Sequence, residues 1–191
     1  MRDDPRRFRP DRPARRGVLA GALALMVGPT PTQASSGDGG FDFLHGRWNV
    51  THRKLRERLA GSSDWFEFPG TLVVEPILSG LGNIDRNVLQ DPAGSYEATS
   101  LRLFDPRAGQ WSIYWLDARS PAAVDPPVVG GFAGRKGVFY SEDSFRDRPI
   151  RVRTTYEPFD TQTAEWTQSF SVDAGASWET NWIMTFRRAQ P

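Results

Sequence analysis

The chain contains no cysteine, which excludes disulfides, thiolate metal sites and lipid attachment through sulfur. Histidine is nearly as scarce: His45 and His52 are the only two, and a pair on separate elements is no metal motif. The sequence lacks a G-x-S-x-G nucleophile elbow, an H-E-x-x-H helix, a P-loop and a dinucleotide-binding glycine fingerprint. No self-similarity at about 40–50 residues points to propeller blades, and no apolar helical pattern persists beyond about two turns. Long apolar runs are also missing, except for GVLAGALALMVG at residues 17–28.

That run has the layout of a secretory signal. Seven arginines precede it, it is too short for a stable bilayer span, and PTPTQA follows, with Thr32 and Ala34 at the −3 and −1 positions of a peptidase site. Cleavage is expected after Ala34. Arg15-Arg16 before the apolar stretch resembles a twin-arginine export signal, with a general secretory signal or an uncleaved anchor as alternatives. The expected location is periplasmic or extracellular. Residues 1–34 carry seven of the 24 basic and three of the 23 acidic side chains, so removing them leaves 17 against 20, a net charge of −3. Nucleic acid and, after cleavage, membrane are therefore not expected partners.

SSGDGG, residues 35–40, reads as a flexible leader. From Phe41 to about residue 188 the chain breaks into short alternating runs divided by Gly, Pro, Asp and Asn, which predicts an all-β domain. FDFLHGRW predicts a short helical turn plugging one end, followed by a strand on which Trp48, Val50 and His52 share a face. About ten strands joined by tight turns favour an antiparallel up-and-down barrel. Without disulfides its stability must come from packing, for which seven Trp and twelve Phe supply the material.

Three turns repeat one plan: FDPRAGQW (104–111), FDTQTAEW (159–166) and FSVDAGASW (170–178) run from Phe through Asp to Trp. The last contains Ser171, Asp173, Gly175 and Trp178 in the order S-x-D-x-G-x-x-W, similar to the Asp-box of sialidases and other propellers. It occurs once, beside two hairpins of the same plan, so Asp173 and Gly175 are assigned to fixing a turn and Trp178 to packing at its base.

FDFLHGRW, GLGN (80–83), LRLFDP, WSIYWLD, DPPVVG, GVFY, RPIRVR and SWETNW together resemble a lipocalin-like (calycin) group of bacterial proteins, a domain of unknown function. The resemblance covers Phe41 to Arg187 and implies a lipocalin or fatty-acid-binding type of barrel. Gly46-Arg47-Trp48 is similar to the Gly-x-Trp of the first lipocalin strand, which implies that Trp48 closes the barrel floor. Nitrobindin-like haem proteins share this opening but take iron from a histidine near the C-terminus. No histidine follows His52, so haem held that way is not expected.

Among chemistry-bearing residues, His52 on the Trp48 face is either an acid, base or ligand inside the barrel, or a hydrogen-bonded structural histidine. Trp115, Asp117 and Arg119 in WLDAR combine an aromatic with opposite charges at a rim, either to hold a polar ligand or as an ion pair over a structural Trp. Arg151 and Arg153 share a face. Inward, they form an anion-binding pair; outward, Ile150, Val152 and Thr154 pack the core, the arrangement that alternation favours. Asn83 and Asp85 alternate with Ile84 and Arg86, so either face can be the inner one. The function expected is binding of a small, partly apolar ligand. An enzyme with His52 as acid or base, and a non-catalytic interaction protein of the envelope, are the alternatives.

Overall fold

A computed structural model describes residues 39–190; the expected signal segment and all but the end of the leader lie outside them. Ten strands follow one another: β1 (Gly46–Leu55), β2 (Trp65–Ile77), β3 (Gly82–Leu89), β4 (Tyr96–Asp105), β5 (Gln110–Asp117), β6 (Val128–Ala133), β7 (Lys136–Phe145), β8 (Arg148–Pro158), β9 (Thr163–Ser171) and β10 (Glu179–Arg188). Each pairs antiparallel with its sequence neighbour, and β1 pairs with β10, closing an all-β barrel without an open edge. Turn residues and alternation in the sequence bound strands at Gly82–Leu89 and Val128–Ala133, and these are the observed bounds of β3 and β6.

Alternation decides which side chains fill the barrel. On β1, Trp48, Val50, His52 and Lys54 are buried while Arg47, Asn49, Thr51 and Arg53 are exposed. On β10, Asn181 forms a bulge between the pairs Thr180–Ser169 and Trp182–Gln168. The extra residue re-aims the strand, so that Trp182, Met184 and Phe186 all face inward.

The two ends of the barrel differ. At the end where β1 begins, a 3-10 turn over Asp42–Leu44 places Phe41 and Leu44, both fully buried, in the main core. The Phe41 ring meets Trp111, Phe132 and Tyr156 edge-on at 4.9–5.0 Å. Trp48 donates its indole N–H to the Leu44 carbonyl at 2.7 Å, and the Arg188 guanidinium lies 3.8 Å above the Trp48 ring while donating to the Phe43 and His45 carbonyls. This stack ties the first and last strands to the turn and leaves the end dense with rings.

Against the ring-packed end, with the Arg102 guanidinium 5.3 Å from the Phe41 ring, lies a buried polar girdle. Arg102 donates to Asp85 Oδ2 at 2.6 Å, to Asn83 Oδ1 at 3.0 Å and to the Tyr156 hydroxyl at 3.3 Å, and Asp85 Oδ1 accepts the Ser100 N–H at 2.8 Å. Asn83 and Asp85 thus both face inward, which the sequence pattern left open. Beyond the girdle, toward the end where β1 finishes, the interior opens.

Candidate functional site

The open end holds a cavity of about 680 Å³, within the size range of small-molecule sites. One wall is a ladder of indoles: Trp115 and Trp166 both meet Trp182 edge-to-face, at 5.9 and 5.2 Å. The other residues around it include Phe66, Tyr96, Ile113, Phe170 and Met184, with Lys54, Arg58, Asp91 and Arg119 toward the rim.

Strand register places five side chains of this wall in a row. Thr154 on β8 is paired with Gln168 on β9, Gln168 with Trp182 on β10, Trp182 with Lys54 on β1, and Lys54 with Phe66 on β2. Three of the five carry a buried polar atom with no hydrogen-bond partner among the described residues: Thr154 Oγ1, Gln168 Oε1 and Trp182 Nε1. A buried polar group without a partner costs about 1–3 kcal/mol. All three belong to residues that line the cavity, so its wall carries unmet hydrogen-bonding capacity just beneath the surface.

Lys54 is the charged member of the row. Its side chain is 9% exposed, with Nζ 3.1 Å from the Tyr96 hydroxyl, 3.5 Å from Asp91 Oδ2 and 4.0 Å from the centre of a Trp182 ring. Burial lowers its pKa to about 8; the charge of Asp91 opposes this, and Arg58 and Arg119 add to it. Burial likewise raises the Tyr96 hydroxyl above its ordinary value. Burial lowers the Arg58 guanidinium, which is half-buried.

The residues singled out from sequence fall into three places. Trp115 and Arg119 line the cavity, and Asp117 grips Arg119 in a two-point ion pair at 2.9 and 2.5 Å, which lays the guanidinium 3.6 Å over the Tyr96 ring. WLDAR therefore acts as one rim element in which Asp117 positions Arg119. That hydrogen bond from Arg119 holds the Asp117 carboxyl below the usual range.

His52 is inward but sealed beneath the cavity. It is fully buried, stacked on Phe68 at 4.8 Å, and neither ring nitrogen has a hydrogen-bond partner among the described residues. Gly70 makes room for it: a Cβ at that position would stand 2.6 Å from His52 Nε2. Burial first, and then the charge of Lys54, push the imidazole down to about 3 against a weaker pull from Asp91. The ring is neutral at physiological pH and does not reach the cavity surface. His45 lies in the first turn, 4.0 Å from Asp42.

Arg151 points the other way. Ile150, Val152 and Thr154 are buried, whereas Arg151 lies on the outer surface 3.4 Å from Glu142 and 4.8 Å above Tyr140. Of the two arrangements open to Arg151 and Arg153, the outward one is observed: Arg153 lies over the outer Trp178 ring at 4.3 Å, and neither arginine lines the cavity of the open end. Trp178 itself donates to the Gly175 carbonyl at 3.0 Å, and Asp173 accepts from Ser171 and Ser177, so this segment is a turn on the rim fixed by its own hydrogen bonds. Of the three related turns, only FDPRAGQW brings its Phe and Trp together, at 5.3 Å. Phe170 turns inward and Phe159 is exposed. Among the described residues, no group of three or more His, Asp or Glu is arranged to hold a metal.

Compared with known proteins, the chain matches no family model and no curated sequence. The site must therefore be read from its own geometry. Sequence reasoning missed Lys54, although a signal was present: Lys54 and Lys136 are the chain's only lysines, against 22 arginines. At position 54 the chain uses its rare amine in place of its common guanidinium.

Proposed function

We propose that this chain is an exported, lipocalin-like barrel that binds a small, partly apolar ligand at its open end. The observation that carries the reading is the row Thr154, Gln168, Trp182, Lys54 and Phe66, in which unpaired buried polar atoms and aromatic faces border one cavity. A barrel selected for stability alone fills such space with apolar side chains, as this one does at its opposite end. The turn at Asp42–Leu44 serves as the plug and the Trp48 stack as the floor, an arrangement consistent with the lipocalin-like resemblance. The layout of residues 1–34 supports export.

The guest this wall suits is flat or ring-bearing, with one or two polar groups, and of modest size. Native mass spectrometry of the protein purified from a periplasmic extract, with thermal shifts against a metabolite and lipid library, tests the reading. A bound mass whose release lowers Tm supports it. Failure of every probe to shift Tm or to quench tryptophan fluorescence would sink it.

A further inference from the structure

We propose that Lys54 is a reactive amine which captures carbonyl-bearing ligands of the cavity as a reversible imine. This rests on the binding role proposed above and names the chemical class of the ligand: an aldehyde or ketone attached to an apolar or aromatic body.

Four observations converge on Lys54. It lies within the cavity wall rather than on the outer surface. Its Nζ contacts a hydroxyl and a carboxylate, those of Tyr96 and Asp91, which are the proton carriers that imine formation needs. The Trp182 face at 4.0 Å suits a delocalised iminium cation as well as an ammonium. The chain places lysine there although arginine supplies all but two of its basic side chains. Arginine is charged at every physiological pH and is not a nucleophile, whereas a desolvated lysine amine is one. Charge alone at this position would not need lysine.

The step balances without an oxidant or reductant. The Nζ lone pair adds to the carbonyl carbon, the carbonyl oxygen takes a proton to become a carbinolamine hydroxyl, and nitrogen releases one. The hydroxyl then leaves as water as the C=N bond forms, so amine plus carbonyl gives imine plus water. Tyr96 and Asp91 are placed to pass these protons. Arg58 and Arg119 at the mouth and the neutral His52 below complete the titratable groups near Lys54, and both arginines oppose its protonation. With a pKa of about 8 rather than 10.5, its free-amine fraction near pH 7 is about two orders of magnitude above that of an ordinary lysine.

The experiment uses hydrocinnamaldehyde as the probe, sodium cyanoborohydride to trap any imine as a secondary amine, and peptide mapping by mass spectrometry. Lys136, exposed on β7 and paired with Glu157 at 2.9 Å, is the internal control in the same molecule. Hydrocinnamyl alcohol, which cannot form an imine, reads cavity filling through tryptophan quenching. The expected result is labelling of Lys54 about tenfold or more above Lys136 near pH 7. Label should be lost from Lys54→Arg while the alcohol still binds that variant. If Lys54→Arg does not fold, the wild-type ratio of the two lysines decides alone. Equal labelling, or label on Lys136 only, with the alcohol still bound, overturns the imine and leaves the binding role standing. Absence of both alcohol binding and Lys54 label overturns both.

Discussion

The Arg102 guanidinium donates to the Asp85 carboxylate at 2.6 Å inside the barrel, with both side chains no more than 3% exposed. Phe41 and Tyr156 flank the guanidinium at 5.3 and 5.4 Å, so this ion pair lies between the ring-packed end and the cavity that Tyr156 and Ser100 line. Burial alone would disfavour the guanidinium charge. Tyr156 and Asp85 outweigh that effect and hold its pKa above the ordinary value.

Removing one partner strands the other. Arg102→Met leaves Asp85 charged and buried, and should cost roughly 3–5 kcal/mol in urea unfolding. Combining it with Asp85→Leu should recover most of that loss, because two apolar side chains of similar volume do not require desolvated charge. A double mutant no more stable than Arg102→Met would mean that Asn83, Tyr156 and the Ser100 N–H depend on the pair more than on packing.

How much of this was legible beforehand follows from period and composition. The ten strands stood out because Gly, Pro, Asp and Asn punctuate runs of near-regular alternation. Inner faces were legible where apolar residues occupied one phase, as at Trp48, Val50 and His52. They were ambiguous in GNIDRN, where the buried phase is Asn83, Asp85 and Asn87. Apolar patterning cannot announce a polar interior. Asp85 finds Arg102 only through the β3–β4 pairing, and Lys54 finds Asp91 and Tyr96 only once the barrel closes. His52 drew attention because histidine is rare and titrates near neutrality, yet burial removes that titration. Lysine is just as rare in this chain, and the cavity lies beside Lys54.

His52 should shape the acid limb of stability. Its imidazole titrates at 6.5 when unfolded and at about 3 when folded. Below about pH 6.5 the unfolded chain takes up a proton that the folded chain refuses, so stability falls as pH drops toward 3 and is unaffected by this group above 6.5. The slope from one such proton is about 1.4 kcal/mol per pH unit. His52→Leu, a change that keeps the site apolar, should flatten the slope between about pH 4 and 6 by that amount in urea titrations. An unchanged slope would show that the native ring takes up protons over the same range.

Gln168 offers a test in which stability and binding move in opposite directions. Its Oε1 is buried without a hydrogen-bond partner among the described residues and sits in the cavity wall between Thr154 and Trp182. Gln168→Leu removes an unpaired polar atom at little change in shape and should raise stability by about 1 kcal/mol. The same change should weaken any ligand whose donor meets that oxygen, read as a smaller ligand-induced Tm shift. Loss of stability in the variant would mean that the amide has a structural partner.

Asp173 should behave as a turn residue and nothing more. Its carboxylate accepts the Ser177 N–H at 2.9 Å, the Ser177 hydroxyl at 2.5 Å and the Ser171 hydroxyl at 2.7 Å. Those hydrogen bonds, Ser177 foremost, hold its pKa down to about 2. Gly175, with φ at 98°, turns the chain so that its N–H reaches Ser171 Oγ at 2.8 Å. The carboxylate favours the folded turn above the unfolded value of 3.8, and the benefit is lost as pH falls from there toward 2. Asp173→Ala should therefore lower Tm at neutral pH and lower it much less near pH 2, where the folded wild-type carboxyl is already about half protonated and most of the benefit is gone. Ligand-induced shifts at neutral pH should be the same in both proteins, since none of these bonds reaches the cavity wall. A variant with wild-type Tm and lost ligand response would move the S-x-D-x-G-x-x-W segment from turn to site.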